Sequence, residues 1–127
     1  MTTVAFFPSV SKMSENPYWP MLVSALGDSG VKLYHDAPDG FDVRWLFRNR
    51  KQVDVLHLHY IHQFYGTRRR GRTRLLNIIR FALNMLLART LGFRTVFTLH
   101  NLEPTYYYEP AWLDYLGHWI AANFSKN

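Results

Sequence analysis

The amino-acid sequence predicts an α/β fold in which helices cover both faces of a parallel sheet. Short apolar runs alternate with longer amphipathic segments along the whole chain, and this alternation is typical of βαβ units. The length of 127 residues suits one domain with a hydrophobic core, and 48% hydrophobic residues indicate a globular chain. We therefore expect one three-layer domain over residues 1–127.

Four short apolar runs are the predicted strands. They cover residues 3–8, 31–35, 53–60 and 94–99. Segments with helical periodicity predict four helices, one beginning at Pro17 and the others covering residues 39–52, 74–90 and 111–122. A basic loop at residues 66–72 precedes the third of these helices.

The first helix has the clearest start signal. Asn16 is a favourable N-cap residue, and Pro17 suits the first helical position. Apolar residues then recur at helical spacing, and a GDSG turn ends the segment. They predict one apolar face, made of Tyr18, Met21, Leu22, Ala25 and Leu26.

The segment 74–90 is apolar almost all round. Its polar residues Asn77, Arg80 and Asn84 fall on one narrow stripe. A helix of this kind is either deeply buried or lies against a membrane. We expect it in the core.

Composition excludes several classes of protein. Because the chain has no cysteine, it can form no disulfide, thiolate metal site or cysteine nucleophile. The N-terminus does not resemble a signal peptide, and no apolar run is long enough for a transmembrane helix. We therefore expect a cytoplasmic location. A formal net charge of +6 favours contact with a polyanion or an anionic membrane.

Polar and aromatic side chains gather where the predicted strands end. His59 and Tyr60 end the third strand, and His100 and Asn101 follow the fourth, with Glu103 close behind. Parallel sheets bind ligands at the carboxyl ends of their strands. These residues are therefore candidates for binding substrate hydroxyl groups, although an ordinary turn would also use an Asn and a following proline.

Two histidines of the third strand suggest another chemistry. His57 and His59 share one face of the strand and could hold a metal, with His62 beyond the strand. No carboxylate follows closely. The alternative is that one of these three histidines lies in the core and the other two lie near the binding site. The loop after the first strand has neither a dinucleotide-binding nor a P-loop glycine pattern.

Five arginines surround the start of the third predicted helix. Such a run suits nucleic acid, anionic lipid headgroups or a solvated loop. Because arginine at a helix N-terminus opposes the helix dipole, we expect an external anion to contact Arg68, Arg69, Arg70, Arg72 and Arg74.

The chain contains, in order, NPYWPMLVSALGDSGV, DVLHLHY and LARTLGFRTVFTLHNLEP. This order and spacing resemble the N-terminal half of family 4-type, two-domain (GT-B) glycosyltransferases, above all bacterial polysaccharide and glycolipid enzymes. The resemblance covers residues 3 to about 122, and TLHNLEP is its most specific part. It implies a Rossmann-like domain that holds the acceptor and faces a second domain that binds the nucleotide-sugar.

The resemblance also implies residue roles. The strand-end histidine of the family approaches the donor sugar and the diphosphate, which gives His100 a catalytic role. The loop near the diphosphate and acceptor corresponds to residues 9–16, so the substrate-binding candidates are Ser9, Ser11, Asn16, His59, Tyr60, Asn101 and Glu103.

The chain departs from the family pattern in two ways. The usual glycine pair of the first loop is absent, which weakens the case for phosphate contact there. The sequence ends at Asn127, where a fifth strand is expected, and lacks the acidic element of the second domain. An open sheet edge would favour self-association or a partner chain.

We therefore expect the acceptor-side domain of a sugar-nucleotide-dependent glycosyltransferase of polysaccharide or glycolipid biosynthesis. It would be inactive without a donor-binding half and would need no cofactor. Its expected partners are a nucleotide-sugar, a glycan or lipid-linked acceptor, a polypeptide with the donor domain, a second copy of the chain and the anionic inner face of the cell membrane. The alternatives are a non-catalytic anion- or membrane-binding module derived from such a half and, as the weakest, a metal-dependent hydrolase using His57 and His59.

Overall fold

The structure, a computed structural model, describes residues 1–10, 15–65, 71–100 and 111–125, and all side chains among them except those of residues 71–73. Its strands are β1 (Thr3–Phe7), β2 (Lys32–Leu33), β3 (Val55–Leu58) and β4 (Arg94–Phe97). Its helices are α1 (Tyr18–Asp28), α2 (Val43–Asn49), α3 (His62–Tyr65), α4 (Gly71–Thr90) and α5 (Trp112–Phe124). The predicted α/β class is confirmed.

The four strands form one parallel sheet in the order β2-β1-β3-β4. The chain leaves the inner strand β1 for β2 on one side and then passes back to β3 on the other. Such a reversal is a topological switch point, and open α/β sheets bind ligands in the crevice at the carboxyl ends of the strands there. The fold therefore places a candidate crevice beside the ends of β1 and β3.

Alternating side chains divide the sheet into two faces. Phe7 and Leu58 belong to the larger core, which α2, α3, α4 and α5 fill. Val4 and Phe6 belong to a smaller core beneath α1. Both faces are covered, as predicted, but among the described helices only α1 contributes to the smaller core.

The buried face of α1 differs from the prediction. Trp19 is only 1% exposed and packs with Leu22 and Leu26 against the sheet, whereas Met21 is 72% exposed. The helix is therefore turned so that the indole, which has the largest apolar area to bury, enters the core. The predicted face, which included Met21, is wrong in part.

Several predicted boundaries are also wrong. The second strand is two residues long, and α2 starts only at Val43 because the Asp42 carboxylate accepts a hydrogen bond from the backbone N–H of Trp45 at 2.8 Å, which caps the helix. The short helix α3 was not predicted. Helix α4 begins at Gly71, so part of the predicted basic loop is helical.

Helix α4 is only half buried. Ile78, Phe81 and Met85 lie in the larger core, whereas Leu76 and Leu83 on the other side are exposed. The expectation that this helix lies in the core is therefore correct for one of its faces only. Among the described residues, no helix combines the length and hydropathy that a membrane crossing requires.

Arg74 does not face solvent. Its side chain is 0% exposed, and its Nη2 donates a hydrogen bond to Oδ1 of Asp114 at 2.6 Å. The pair joins the first turns of α4 and α5. A buried arginine cannot reach an external anion, so the predicted anion contact is wrong for Arg74.

We expect Asp114→Ala to lower the free energy of unfolding by about 3–5 kcal/mol, because it leaves the Arg74 charge buried without its carboxylate. Urea denaturation followed by circular dichroism measures the effect. Asp36→Ala, at an exposed carboxylate, is the matched control and should change stability by less than about 0.5 kcal/mol. Equal effects of the two substitutions would show that the ion pair contributes nothing.

Two helical glycines give opposite predictions. A Cβ on Gly117 of α5 would overlap the ring of Tyr65, whereas a Cβ on Gly27 of α1 would meet nothing within 4 Å. Gly117→Ala should therefore cost about 1–3 kcal/mol through overpacking. Gly27→Ala should be neutral or stabilise the chain by up to about 1 kcal/mol through helix propensity. Thermal denaturation of both variants tests this, and a stabilised Gly117→Ala would contradict the contact.

Candidate functional site

Three histidines meet at the carboxyl edge of the sheet. His57 lies in β3, His59 follows it, and His100 follows β4. The ring centroids of His57 and His59 are 4.2 Å apart, and those of His59 and His100 are 5.1 Å apart. His57 and His59 share a face of the sheet, as their spacing predicts. These three residues are called the histidine cluster below.

A direct hydrogen bond joins two members of the cluster. His59 Nδ1 and His100 Nε2 are 2.8 Å apart, so one of these nitrogens carries the shared hydrogen. His59 is 3% exposed, and its Nε2 has no hydrogen-bond partner among the described residues. Because buried N–H groups without acceptors are rare, the favoured tautomer has His59 Nδ1–H donating to His100. Since His100 Nε2 is then the acceptor, the hydrogen that His100 can donate to a ligand lies on Nδ1.

Burial keeps two members of the cluster uncharged at neutral pH. Desolvation, reinforced by the neighbouring imidazoles, lowers the pKa of His59 to about 3. Desolvation and then His100 lower the pKa of His57 to about 4. His57 Nε2 also lies 2.8 Å from Thr98 Oγ1. His57 and His59 are therefore neutral imidazoles, each with one donor and one acceptor nitrogen.

Aromatic rings surround the cluster. The Tyr60 ring lies nearly parallel to His100, at a centroid distance of 4.9 Å and an angle of 18°. Tyr18 meets His100 edge-on at 5.5 Å, and Trp19 lies 4.3 Å from His59. Tyr18 and Trp19 were not predicted as site residues. Their only sequence signal is the NPYW start of α1, directly after the loop that leaves β1.

Phe6 connects the cluster to the centre of the sheet. Its ring centroid lies 4.9 Å from that of His57 and 5.5 Å from that of His59. Phe6 also lines a separate cavity of about 170 Å³ near the ends of β1 and β2. Ser9, a predicted substrate-binding residue, is buried and lines this cavity, which none of the three histidines lines.

The structure thus brings three predicted site residues together: His59, Tyr60 and His100. Asn16 is exposed, and its Oδ1 accepts a hydrogen bond from the backbone N–H of Tyr18 at 3.0 Å. The N-cap position belongs to Pro17, so the helix begins one residue later than predicted. Other predicted site residues lie outside the described part of the chain, namely Ser11, Arg68, Arg69, Arg70, Asn101 and Glu103. Arg72 lies in the first turn of α4, and its side chain also lies outside that part.

His62 is separate from the histidine cluster. It begins α3, and its pKa is lowered by burial, while Asp114 opposes the shift and His118 adds to it. Within residues 1–10, 15–65, 71–100 and 111–125, no three His, Asp or Glu side chains are grouped so that they could hold a metal ion.

Fold and site together define a Rossmann-like α/β domain with an aromatic-lined histidine cluster beside its topological switch point. No protein-family model, curated protein sequence or solved structure matches this chain.

The lowered pKa values predict a loss of stability in acid. Below about pH 6.5 the unfolded chain binds protons at His57 and His59, whereas the folded chain takes them up only near pH 4 and pH 3. The free energy of unfolding should therefore fall as the pH falls through this range, by at most about 1.4 kcal/mol per pH unit for each residue.

Urea denaturation between about pH 7.5 and about pH 4.5 tests this loss. In the double variant His57→Gln, His59→Gln the slope of stability against pH should be smaller than in the parent chain. His35→Gln, at an exposed histidine, is the matched control. An unchanged slope in the double variant would show that the two imidazoles are not held neutral.

Proposed function

We propose that this chain is the acceptor-side domain of a sugar-nucleotide-dependent glycosyltransferase of polysaccharide or glycolipid biosynthesis. The donor would be bound by a second domain or polypeptide. The observation that carries the proposal is the hydrogen-bonded pair of His59 and His100, 2.8 Å apart at the carboxyl ends of neighbouring parallel strands. The similarity of the TLHNLEP segment to the strand end of that family supports it.

The chemistry of the pair suits sugar transfer. An imidazole N–H can donate a hydrogen bond to a hydroxyl or phosphate-ester oxygen. His59 would orient His100 by donating to its Nε2, which directs the hydrogen of His100 to Nδ1. A donor held in this way can stabilise the negative charge that develops on a departing diphosphate.

The aromatic surroundings suit a saccharide. Tyr60 lies against the face of the His100 ring, and Tyr18 meets that ring edge-on. A site of this kind combines apolar surface with a few fixed polar groups, which is the usual composition of small-molecule sites. The acceptor glycan would pack against these rings with its hydroxyl groups toward the histidines.

The proposal places the protein in the cytoplasm at the inner face of the cell membrane, where a lipid-linked acceptor would be presented. A second candidate function is a non-catalytic membrane- or anion-binding module derived from such a domain. The exposed apolar face of α4 favours it. The two functions differ in whether the histidine cluster binds a saccharide.

Saccharide binding can be measured on the chain alone by saturation-transfer NMR with a panel of glycans. Binding should disappear in His100→Ala and persist in His35→Ala, whose histidine is exposed and is not part of the cluster. Calorimetry with nucleotide-sugars should show no micromolar binding, because the proposal assigns the donor contacts to another domain. Micromolar nucleotide-sugar binding, or a His100→Ala variant that binds glycans normally, would contradict the proposed function.

Sugar transfer by the chain assembled with a donor-binding half gives the second test. His100→Ala should lower turnover by about 10² or more, the range seen when one charge-stabilising donor is lost. The unfolding midpoint should fall only modestly, because His100 is half buried but accepts the hydrogen bond of the buried His59 Nδ1–H. A radiolabelled transfer assay measures turnover. Transfer by this chain without any second polypeptide would show that the donor site has been misplaced.

A further inference from the structure

Helix α4 carries a second apolar face, directed away from the sheet. Its buried residues Ile78, Phe81 and Met85 pack into the larger core. On the opposite side of the helix, four side chains at i, i+3, i+7 and i+10 are between 47 and 60% exposed: Leu76, Ile79, Leu83 and Leu86. These side chains contribute nothing to the core.

Helix α5 repeats this arrangement with aromatic residues. Leu113, Gly117 and Ile120 face inward and are buried. Three large rings at i, i+3 and i+7 point the other way and are between 55 and 66% exposed: Trp112, Tyr115 and Trp119.

The two exposed faces belong to one side of the molecule. Helices α4 and α5 pack against each other, and both cover the same face of the sheet. Their outward faces therefore point in the same direction. The seven exposed residues on them, Leu76, Ile79, Leu83, Leu86, Trp112, Tyr115 and Trp119, are called the outer surface of α4 and α5. Soluble monomers rarely expose large contiguous apolar areas unless the area binds something.

The exposed charges of α4 and α5, among the side chains that the structure describes, are of one sign. Asp114 is the only acidic residue of α4 and α5, and it is buried against Arg74. Arg80 and Arg89 of α4 are exposed, and the whole chain carries a net charge of +6. Two helices that carry exposed arginines and no exposed carboxylate of their own are complementary to anionic lipid headgroups.

We propose that the outer surface of α4 and α5 binds the interface of an anionic bilayer, with both helices lying along the membrane. Leucine and isoleucine side chains would enter the boundary of the acyl region, and the tryptophans and tyrosine would lie at the headgroup level that such rings prefer. Exposed arginines would contact the headgroups. The inference deepens the proposed function, because the bound membrane would be the one that carries the lipid-linked acceptor. That identity of the membrane rests on the proposed function.

The experiment uses vesicles of phosphatidylglycerol and phosphatidylcholine with the purified chain. The chain should sediment with anionic vesicles and less with pure phosphatidylcholine, and added salt should weaken the binding. Leu83→Glu and Trp119→Glu should each weaken it by about tenfold or more, since each places a charge in the apolar layer. Met21→Glu is the matched control, because Met21 is 72% exposed on α1, over the other face of the sheet.

A second measurement reports on the tryptophans directly. In a chain whose Trp19 and Trp45 are replaced by Phe, vesicles should shift the emission of Trp112 and Trp119 to shorter wavelength, and brominated lipids should quench it. Should the double Phe variant fail to fold, the sedimentation series alone decides the question. An emission that vesicles leave unchanged would overturn the proposal.

Three further outcomes would also overturn it. The first is an absence of binding to anionic vesicles, and the second is equal loss of binding in Leu83→Glu and Met21→Glu. The third is a lipid-free dimer, seen by analytical ultracentrifugation, that Leu83→Glu dissociates and Met21→Glu does not, because a second copy of the chain would then cover this surface.

Glycan binding measured without vesicles should be the same in Leu83→Glu as in the parent, so failure of membrane binding is distinguishable from failure of the proposed function.

Discussion

The register between β1 and β3 determines which side chains reach the site and which reach the core. Phe6 lies opposite His57, and Phe7 lies opposite Leu58. Because strand side chains alternate, a slip of one residue would pair Phe6 with an apolar core residue and turn the histidines away from it. The ring contacts of Phe6 with His57 and His59, at centroid distances of 4.9 and 5.5 Å, therefore depend on the same pairing that buries Phe7. Site and core are two consequences of one register.

The Arg74–Asp114 pair determines where two helices leave the carboxyl edge of the sheet. Arg74 lies in the first turns of α4 and Asp114 in the first turn of α5, and both are buried. Buried ion pairs often add little net stability compared with apolar residues of similar volume, but they hold their elements in one arrangement. The close packing of Gly117 on Tyr65 joins α5 to α3. The Arg74–Asp114 pair holds α4 and α5 side by side, which gives these helices a common outer surface.

The sequence predicts the elements better than it predicts their contacts. Alternating apolar and amphipathic segments predict where strands and helices follow one another along the chain. A parallel sheet then brings His59 and His100, which follow two of these strands, to the same edge. Arg74 looks like one more exposed arginine of a basic run, because nothing local shows that Asp114, forty residues away, will meet it. The rotation of α1 toward Trp19 is decided by packing against Phe6, at a centroid distance of 6.0 Å, and not by periodicity. Contacts of this kind depend on tertiary structure, and no short segment of the sequence predicts them.

The low pKa values of His57 and His59 would matter at the proposed membrane surface. An anionic bilayer of about −30 mV attracts protons and lowers the pH at its surface by roughly half a unit. A histidine of ordinary pKa would be partly charged there, and its hydrogen-bond pattern would vary with lipid composition. Burial holds the pKa of His59 at about 3 and that of His57 at about 4, so both stay neutral close to such a surface. Beside the proposed membrane, His59 would therefore keep the hydrogen on Nδ1 that it donates to His100.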